Sequence, residues 1–208
     1  MIERIDARPG DRPRTPPSQV LTQKWPVLHY GLVPTVDLAR WRFRVQGLVE
    51  NPFELTWDEL ISLPMQQVTC DMHCVTHWSR LDNAFEGVPL KPLLERARLK
   101  PEAGFVLVHA DPEYTTNMPL QDLLAPGNLL ALRHNGEPLM PEHGGPVRLL
   151  VPHLYLWKSA KWVTGFEFLE EDEPGFWEQN GYHMRGDPWA EERYGRPDPV
   201  RMRRGPRT

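Results

Sequence analysis

The sequence predicts an α+β protein: a mixed β-sheet with short helices and long loops. Three observations lead there. Segments with strand patterning outnumber helical ones, the helical segments are each only about ten residues long, and proline is abundant, at 23 of 208 residues. Ordinary usage would give about half as many. Proline locks φ and removes a backbone donor, so it cuts helices short and favours ordered loops.

Residues 1–23 are charged and Pro-rich ("MIERIDARPGDRPRTPPSQ") and predict an unstructured or surface-clinging arm. Trp41, Phe43 and Val45 alternate with Arg42 and Arg44, which predicts a strand over 41–49 with one buried face. Thr56 and Glu59 stand at capping-box spacing, so residues 55–64 predict a short helix stopped by Pro64. Residues 89–99 predict a second helix, "GFVLVHA" (104–110) a buried strand, and 118–127 a third helix ending near Gly127. Asn135-Gly136 is a strong hairpin signal within 129–139, and 146–152 and 161–170 read as two further strands. Between residues 24 and 195 there is no linker, repeat or low-complexity break, so a single domain is expected there. A basic, Pro-rich tail (196–208) follows, expected to be solvated and partly disordered.

Composition excludes some classes. The chain is 40% hydrophobic and 25% charged, ordinary for a globular protein. The net charge of −4 argues against nucleic acid as a main partner. No apolar run approaches the roughly 20 residues of a membrane span. The N-terminus lacks the apolar stretch of a secretory signal. Two cysteines are too few for a disulfide framework. The expectation is a cytoplasmic protein with reduced thiols. The eight Trp are expected mainly in the core.

Both cysteines fall in "TCDMHCVTHWSRLDNAFEGVPL" (69–90), with Cys70, His73, Cys74 and His77 at i, i+3, i+4 and i+7. On a helix these four would spread over about 10 Å, too far for one zinc ion. The β-branched lead "QVTC" favours a strand entering a loop. A Cys70–Cys74 disulfide would close a tiny loop in a reducing compartment. A small zinc domain and a disulfide are thus disfavoured. A buried apolar thiol and a single reactive thiolate both remain open.

Four blocks bear on that choice: "HCVTHWSRLDNAFEGVPL", "NGEPLMPEHGGPVRLLVP", "LYLWKSAKW" and "GFWEQNGYHMRGDPW". Together they resemble the sulfite oxidase family of molybdopterin enzymes, above all its stand-alone prokaryotic oxidoreductases, over roughly residues 24–195. The resemblance implies a sulfite-oxidase-type molybdopterin-binding fold. It also implies a molybdenum–molybdopterin cofactor with Cys74 as metal ligand, and leaves Cys70 a buried structural residue. One soft thiolate suffices, because the pterin dithiolene supplies the other sulfurs. By the same resemblance His143, Arg148, Ser159, Ala160 and Lys161 contact the cofactor. His29 and Tyr30, in "WPVLHYGLVP", lie against the pterin near the metal, and His109 is a further contact. Tyr114 stands beside the metal's oxo ligand as a catalytic residue.

The implied activity is oxygen-atom transfer to or from a small oxo-acceptor or donor. Electrons would be exchanged with a separate electron-transfer protein. There is no C-x-x-C-H haem site, so no haem is expected. A non-catalytic pterin- or anion-binding protein on the same fold is the alternative. Where sulfite oxidases carry anion-binding arginines this chain has Leu28 and Ser79, with Arg80 adjacent, so a neutral S-oxide or N-oxide fits at least as well as sulfite. Asn180, Tyr182 and His183 are expected either to line the entrance or to fasten the last loop.

Overall fold

The computed structural model describes residues 2–195, and the expected tail at 196–208 lies outside them. In chain order, β1 (Glu3–Asp6) and β2 (Val20–Leu21) come from the N-terminal arm. Strands β3 (Arg42–Gly47) and β4 (Phe53–Thr56) lead into helix α1 (Trp57–Ile61). A long hairpin of β5 (Gln66–His73) and β6 (Trp78–Pro89) runs into α2 (Leu90–Ala97). Next come β7 (Phe105–Ala110), β8 (Tyr114–Pro119) and α3 (Leu120–Leu123), then the hairpin β9 (Leu129–His134) and β10 (Glu137–Pro138). β11 (Arg148–Leu150), β12 (Val163–Leu169) and α4 (Phe176–Gln179) complete the order.

The strands form two mixed sheets. The first has the order β1-β5-β6-β9-β10, with β11 on β9 and β2 on β6; the second has the order β4-β3-β12-β7-β8. Both sheets feed the main core: Val88, Leu130 and Leu149 come from the first, and Phe43, Val106, Val108 and Phe166 from the second. Period two explains β3, where Phe43 and Val45 are buried and Arg44 is exposed. The capping box forms as the spacing predicts: Glu59 N donates to Thr56 Oγ1 (3.3 Å) and Thr56 N donates to Glu59 Oε2 (2.8 Å).

The arm is not unstructured along its length. β1 pairs in parallel with β5, Glu3 opposite Gln66, and β2 pairs in parallel with β6, Val20 opposite Trp78. The helix expected over 118–127 is cut to Leu120–Leu123, because Tyr114–Pro119 is an edge strand paired with β7. The twelve residues of β6 carry a weak sequence signal for a physical reason. Several of its buried positions are Ser79, Asn83 and Gly87, whose small or polar side chains hide the alternation. Gly87 is required: a Cβ there would strike the Leu130 carbonyl of β9.

Candidate functional site

Cys74 follows the last residue of β5 and opens a tight loop, in which Cys74 N donates to Trp78 O (2.9 Å) and His77 N to Cys74 O (3.1 Å). Distant parts of the chain hold this loop. Gln19 Nε2 donates to Cys74 O (3.1 Å), His77 Nδ1 to Ser18 O (2.9 Å) and Arg193 Nη1 to Val75 O (2.6 Å). Cys70, His73, Cys74 and His77 do not converge on one point. Cys70 is fully buried with Val68 and Phe85, His73 bonds Ser79 Oγ (2.8 Å), and His77 is tied to the arm. Among the described residues no three His, Cys, Asp or Glu side chains converge on a metal position.

The Cys74 thiol borders a cavity of about 640 Å³, a size suited to an organic cofactor. A second cavity, of about 500 Å³, lies between the arm and Trp189; it has no cysteine in its lining. Burial pushes the Cys74 thiol up, opposed by hydrogen bonding with Thr76 (Sγ to Oγ1, 3.1 Å) and by the charges of Arg193 and Lys161. A metal ion would remove that proton outright.

The same cavity is bordered by Arg148, Ser159, Ala160 and Lys161. Arg148 is 2% exposed, yet its hydrogen bonds reach only carbonyls, Nη1 donating to His143 O (2.8 Å) and Nη2 to Ser159 O (2.7 Å), while its guanidinium lies 5.5 Å from the Trp25 ring centre. Its Nε has no partner. Burial pushes this guanidinium down to about 10. Lys161 Nζ donates to Leu28 O (2.9 Å) and Glu142 O (2.6 Å), and burial plus the charge of Arg148 bring it to about 7. Among the described residues neither cation has a carboxylate partner. Buried charge is costly unless compensated, so this corner fits an anionic group such as a phosphate. The two glycines after His143 serve protein packing here. Gly144, at φ +101°, would put a Cβ 3.0 Å from Lys161 and 3.1 Å from the Arg148 side chain, so its bareness lets the two cations approach.

The remaining expected residues divide. His29 and Tyr30 border the cavity on an exposed loop, His29 edge-on to Trp162 (5.7 Å) and Tyr30 against Phe176 (4.7 Å). Tyr114 borders it too, but its hydroxyl donates to Trp157 O (2.8 Å), and burial raises the phenol well above its usual range. His143 stands one layer back, stacked at 4.0 Å on Trp25, which is in the wall. Its Nδ1 is buried without a partner.

His109 is a correction. It alternates with the buried Val108 and Ala110, so it faces the other side of β7, pairs with Glu167 (2.9 Å) and is not in the wall. Of the C-terminal trio only Tyr182 is in the wall. Asn180 Nδ2 donates to Phe176 O, and His183 Nδ1 accepts from Arg185 N and Gly186 N, so both fasten the loop. Leu28 reaches the cavity; Ser79 and Arg80 do not. The tryptophans are mainly core, as expected: Trp41, Trp157 and Trp162 are buried, Trp25, Trp57, Trp78 and Trp177 pack against the core clusters, and five of these seven (Trp25, Trp78, Trp157, Trp162 and Trp177) also wall the cavity.

Behind the wall lies a buried ion pair. Lys158 and Glu178 are both inaccessible at the side chain and meet at 2.5 Å. Lys158 Nζ also donates to Asn117 O (2.6 Å) and Met184 O (2.6 Å). Glu178 Oε1 also accepts from Trp157 Nε1 (2.8 Å) and Thr116 Oγ1 (3.0 Å). This network orients Trp157. Its sequence signal is weak, because Trp157-Lys158 and Trp177-Glu178 are 20 residues apart and each dipeptide is ordinary alone.

A single thiol at a large aromatic cavity, beside two uncompensated cations, defines a class: a protein suited to an anionic organic cofactor ligated through sulfur. The chain belongs to the oxidoreductase molybdopterin-binding domain family, whose model matches residues 30–177. It is 52% identical over 182 residues to the uncharacterized oxidoreductase YuiH of Bacillus subtilis, covering 87% of this chain and 92% of that one. It is 30% identical to the putative protein-methionine-sulfoxide reductase subunit YedZ1 of Azospira oryzae, covering 82% of this chain and 66% of the relative. Among solved structures it resembles the sulfane dehydrogenase SoxCD of Paracoccus pantotrophus, with TM-score 0.61 and 25% identity, over 67% of this chain and 40% of that one. The chain is therefore a molybdopterin-binding oxidoreductase of sulfite-oxidase-like fold. Among the described residues no helix is long and apolar enough to cross a membrane.

Proposed function

We propose that the protein holds molybdenum through molybdopterin, with Cys74 as its protein ligand, and removes an oxygen atom from a small neutral S-oxide or N-oxide. The observation that carries this reading is the placement of the Cys74 thiol on the same cavity as Arg148 and Lys161, two cations without a carboxylate. Arg148, Lys161, Ser159 and the backbone at Ala160 bind the anionic and polar edges of the pterin. Trp25 would flank it, held from behind by the stacked His143. Tyr114, anchored to the Trp157 carbonyl, closes the reacting side and keeps its phenol protonated. When bound, the cofactor supplies two-electron oxygen-atom exchange; the chain binds, orients and excludes water.

The aromatic wall, with Leu28 where sulfite oxidases place an arginine, supports a neutral substrate over an oxyanion. So do the names of YedZ1 and of the Campylobacter jejuni protein-methionine-sulfoxide reductase catalytic subunit MsrP, to which the chain is 26% identical. Both names designate subunits, which supports electron delivery by a separate protein. The two unbridged cysteines support a reducing, cytoplasmic setting. The test is metal analysis of protein produced with ample molybdate, then oxidation of a reduced viologen dye with a panel of S-oxides, N-oxides, sulfite and nitrate. Near-stoichiometric molybdenum and turnover of neutral S-oxides are expected. Zinc alone, or molybdenum with no turnover of any oxo-donor, would overturn the reading.

A further inference from the structure

The turn between β7 and β8, Asp111-Pro112-Glu113, has no role in the site so far, yet all three residues border the cavity. The turn is fastened at its base: Asp111 N donates to Trp162 O (3.0 Å). Glu113 sits at φ 75°, a left-handed conformation that a non-glycine residue adopts at a cost. Among the described residues neither carboxylate has a hydrogen bond or an ion pair. Asp111 is half-buried and Glu113 is exposed, which places them on the outer rim. Tyr30 (66% exposed), Phe176, Trp177 and Tyr182 also border the cavity, at successive ring separations of 4.7, 5.0 and 5.0 Å. Aromatic faces carry negative electrostatic potential.

Of the cations that share the cavity, Arg148 lies deeper. Arg148 is almost wholly buried, with an unpartnered Nε that independently marks the floor as a ligand position, and Lys161 is tied to two carbonyls. His29 and Cys74 are the other ionisable groups there besides the tyrosines. The cavity is thus charged in two layers: a positive floor and a rim of two free carboxylates and aromatic faces.

We propose that Asp111 and Glu113 are specificity-determining residues, which admit neutral oxo-compounds and those carrying an ammonium group and turn away oxyanions such as sulfite. This rests on the oxygen-atom-transfer reading for the chemistry, but the charge filter can be read out separately. Clefts lined by one sign of charge concentrate the opposite sign and repel their own, about tenfold or more in association at low salt. Screening at high salt shrinks the effect.

The test uses the molybdenum-loaded full chain and three matched substrates: methyl phenyl sulfoxide and its para-trimethylammonium and para-sulfonate derivatives. Each sulfoxide takes two electrons from reduced viologen and two protons, giving the thioether and water. The expected order of kcat/KM is cationic, neutral, anionic, with a cation-to-anion ratio of about 100 at low salt if each carboxylate contributes about tenfold. In Asp111→Asn/Glu113→Gln the ratio should fall to within a few-fold of one. Both amides are isosteric and neither carboxylate has a side-chain partner to lose; a thermal midpoint confirms folding. Independently of turnover, calorimetry should find tighter binding of phenyltrimethylammonium than of benzenesulfonate, with the preference lost in the double variant. An unchanged preference in the double variant, or wild-type preference for the anion, would overturn the proposal. Failure to turn over any sulfoxide, with the calorimetric preference intact, would count against the oxygen-atom reading and leave the charge filter standing.

Discussion

Cys70 and Cys74 are four residues apart and live in different chemistry. Cys70 is sealed beside Val68 and Phe85, where burial pushes its thiol far up, while Cys74 borders the cavity beside Thr76. Cys74→Ser is expected to lose near-stoichiometric molybdenum and the thiolate-to-metal absorption band; a normal metal content and spectrum would refute the ligand assignment. Cys70→Ser should keep both while losing about 1–3 kcal/mol in urea unfolding, because its hydroxyl is buried without an evident partner. At this scale sequence was informative for side chains whose type is chemically rare. Cys74 is of such a type; Arg148, Ser159 and Lys161 are common types that only the family resemblance singled out, and folding brings all four onto one cavity. It was uninformative for Trp177, Asp111 and Val75, ordinary residue types that matter only through their position. His109 shows the converse: the right type one step out of phase on a strand faces the wrong side.

The elements around the site are fastened by two polar knots. In one, Lys158 and Glu178 join the turn before β12 to α4, and burial lowers the ammonium while the carboxylate opposes that shift. Lys158→Met leaves a buried, unpaired carboxylate and is expected to cost about 3–5 kcal/mol in chemical denaturation. In the other, Asp122 of α3 accepts from His153 (3.1 Å) and from Arg185 Nε (2.8 Å). Burial alone would raise this carboxyl, but those hydrogen bonds and the charge of Arg185 outweigh it and hold it at about 2. A depressed carboxylate stabilises fully above its unfolded value near 4, and that contribution fades as pH falls toward 2. Acid titration should therefore show wild type more stable than Asp122→Asn by about 2 kcal/mol at pH 6, with the gap closed by pH 2. Strands β3 and β12 were legible in sequence because one face is apolar and the other is not, and β7 because it is a nearly unbroken apolar run. β6 was not, since it buries Ser79, Asn83 and Gly87; and α3 shrank because β8 took its first residues.

For the molecule as a whole, cofactor and stability are linked. Among the described residues the two cations of the floor have no carboxylate partner, so binding an anionic ligand there should stabilise the fold. A ligand present at about a thousandfold above its dissociation constant adds about 4 kcal/mol, which raises the melting midpoint of a chain this size by on the order of 10 °C. Calorimetric scans of cofactor-loaded and cofactor-free protein check this, and millimolar inorganic pyrophosphate should recover part of the difference. A final consequence follows from how the Cys74 loop is held. Ser18 and Gln19 grip it from one terminus and Arg193 from the other, while Trp189 Nε1 donates to Pro13 O (2.8 Å) and clasps the two ends together. The position of the Cys74 sulfur is therefore set jointly by two stretches far apart along the chain, 13–19 and 189–193, so that a cut or a disruptive substitution in either one is expected to be felt at the thiol.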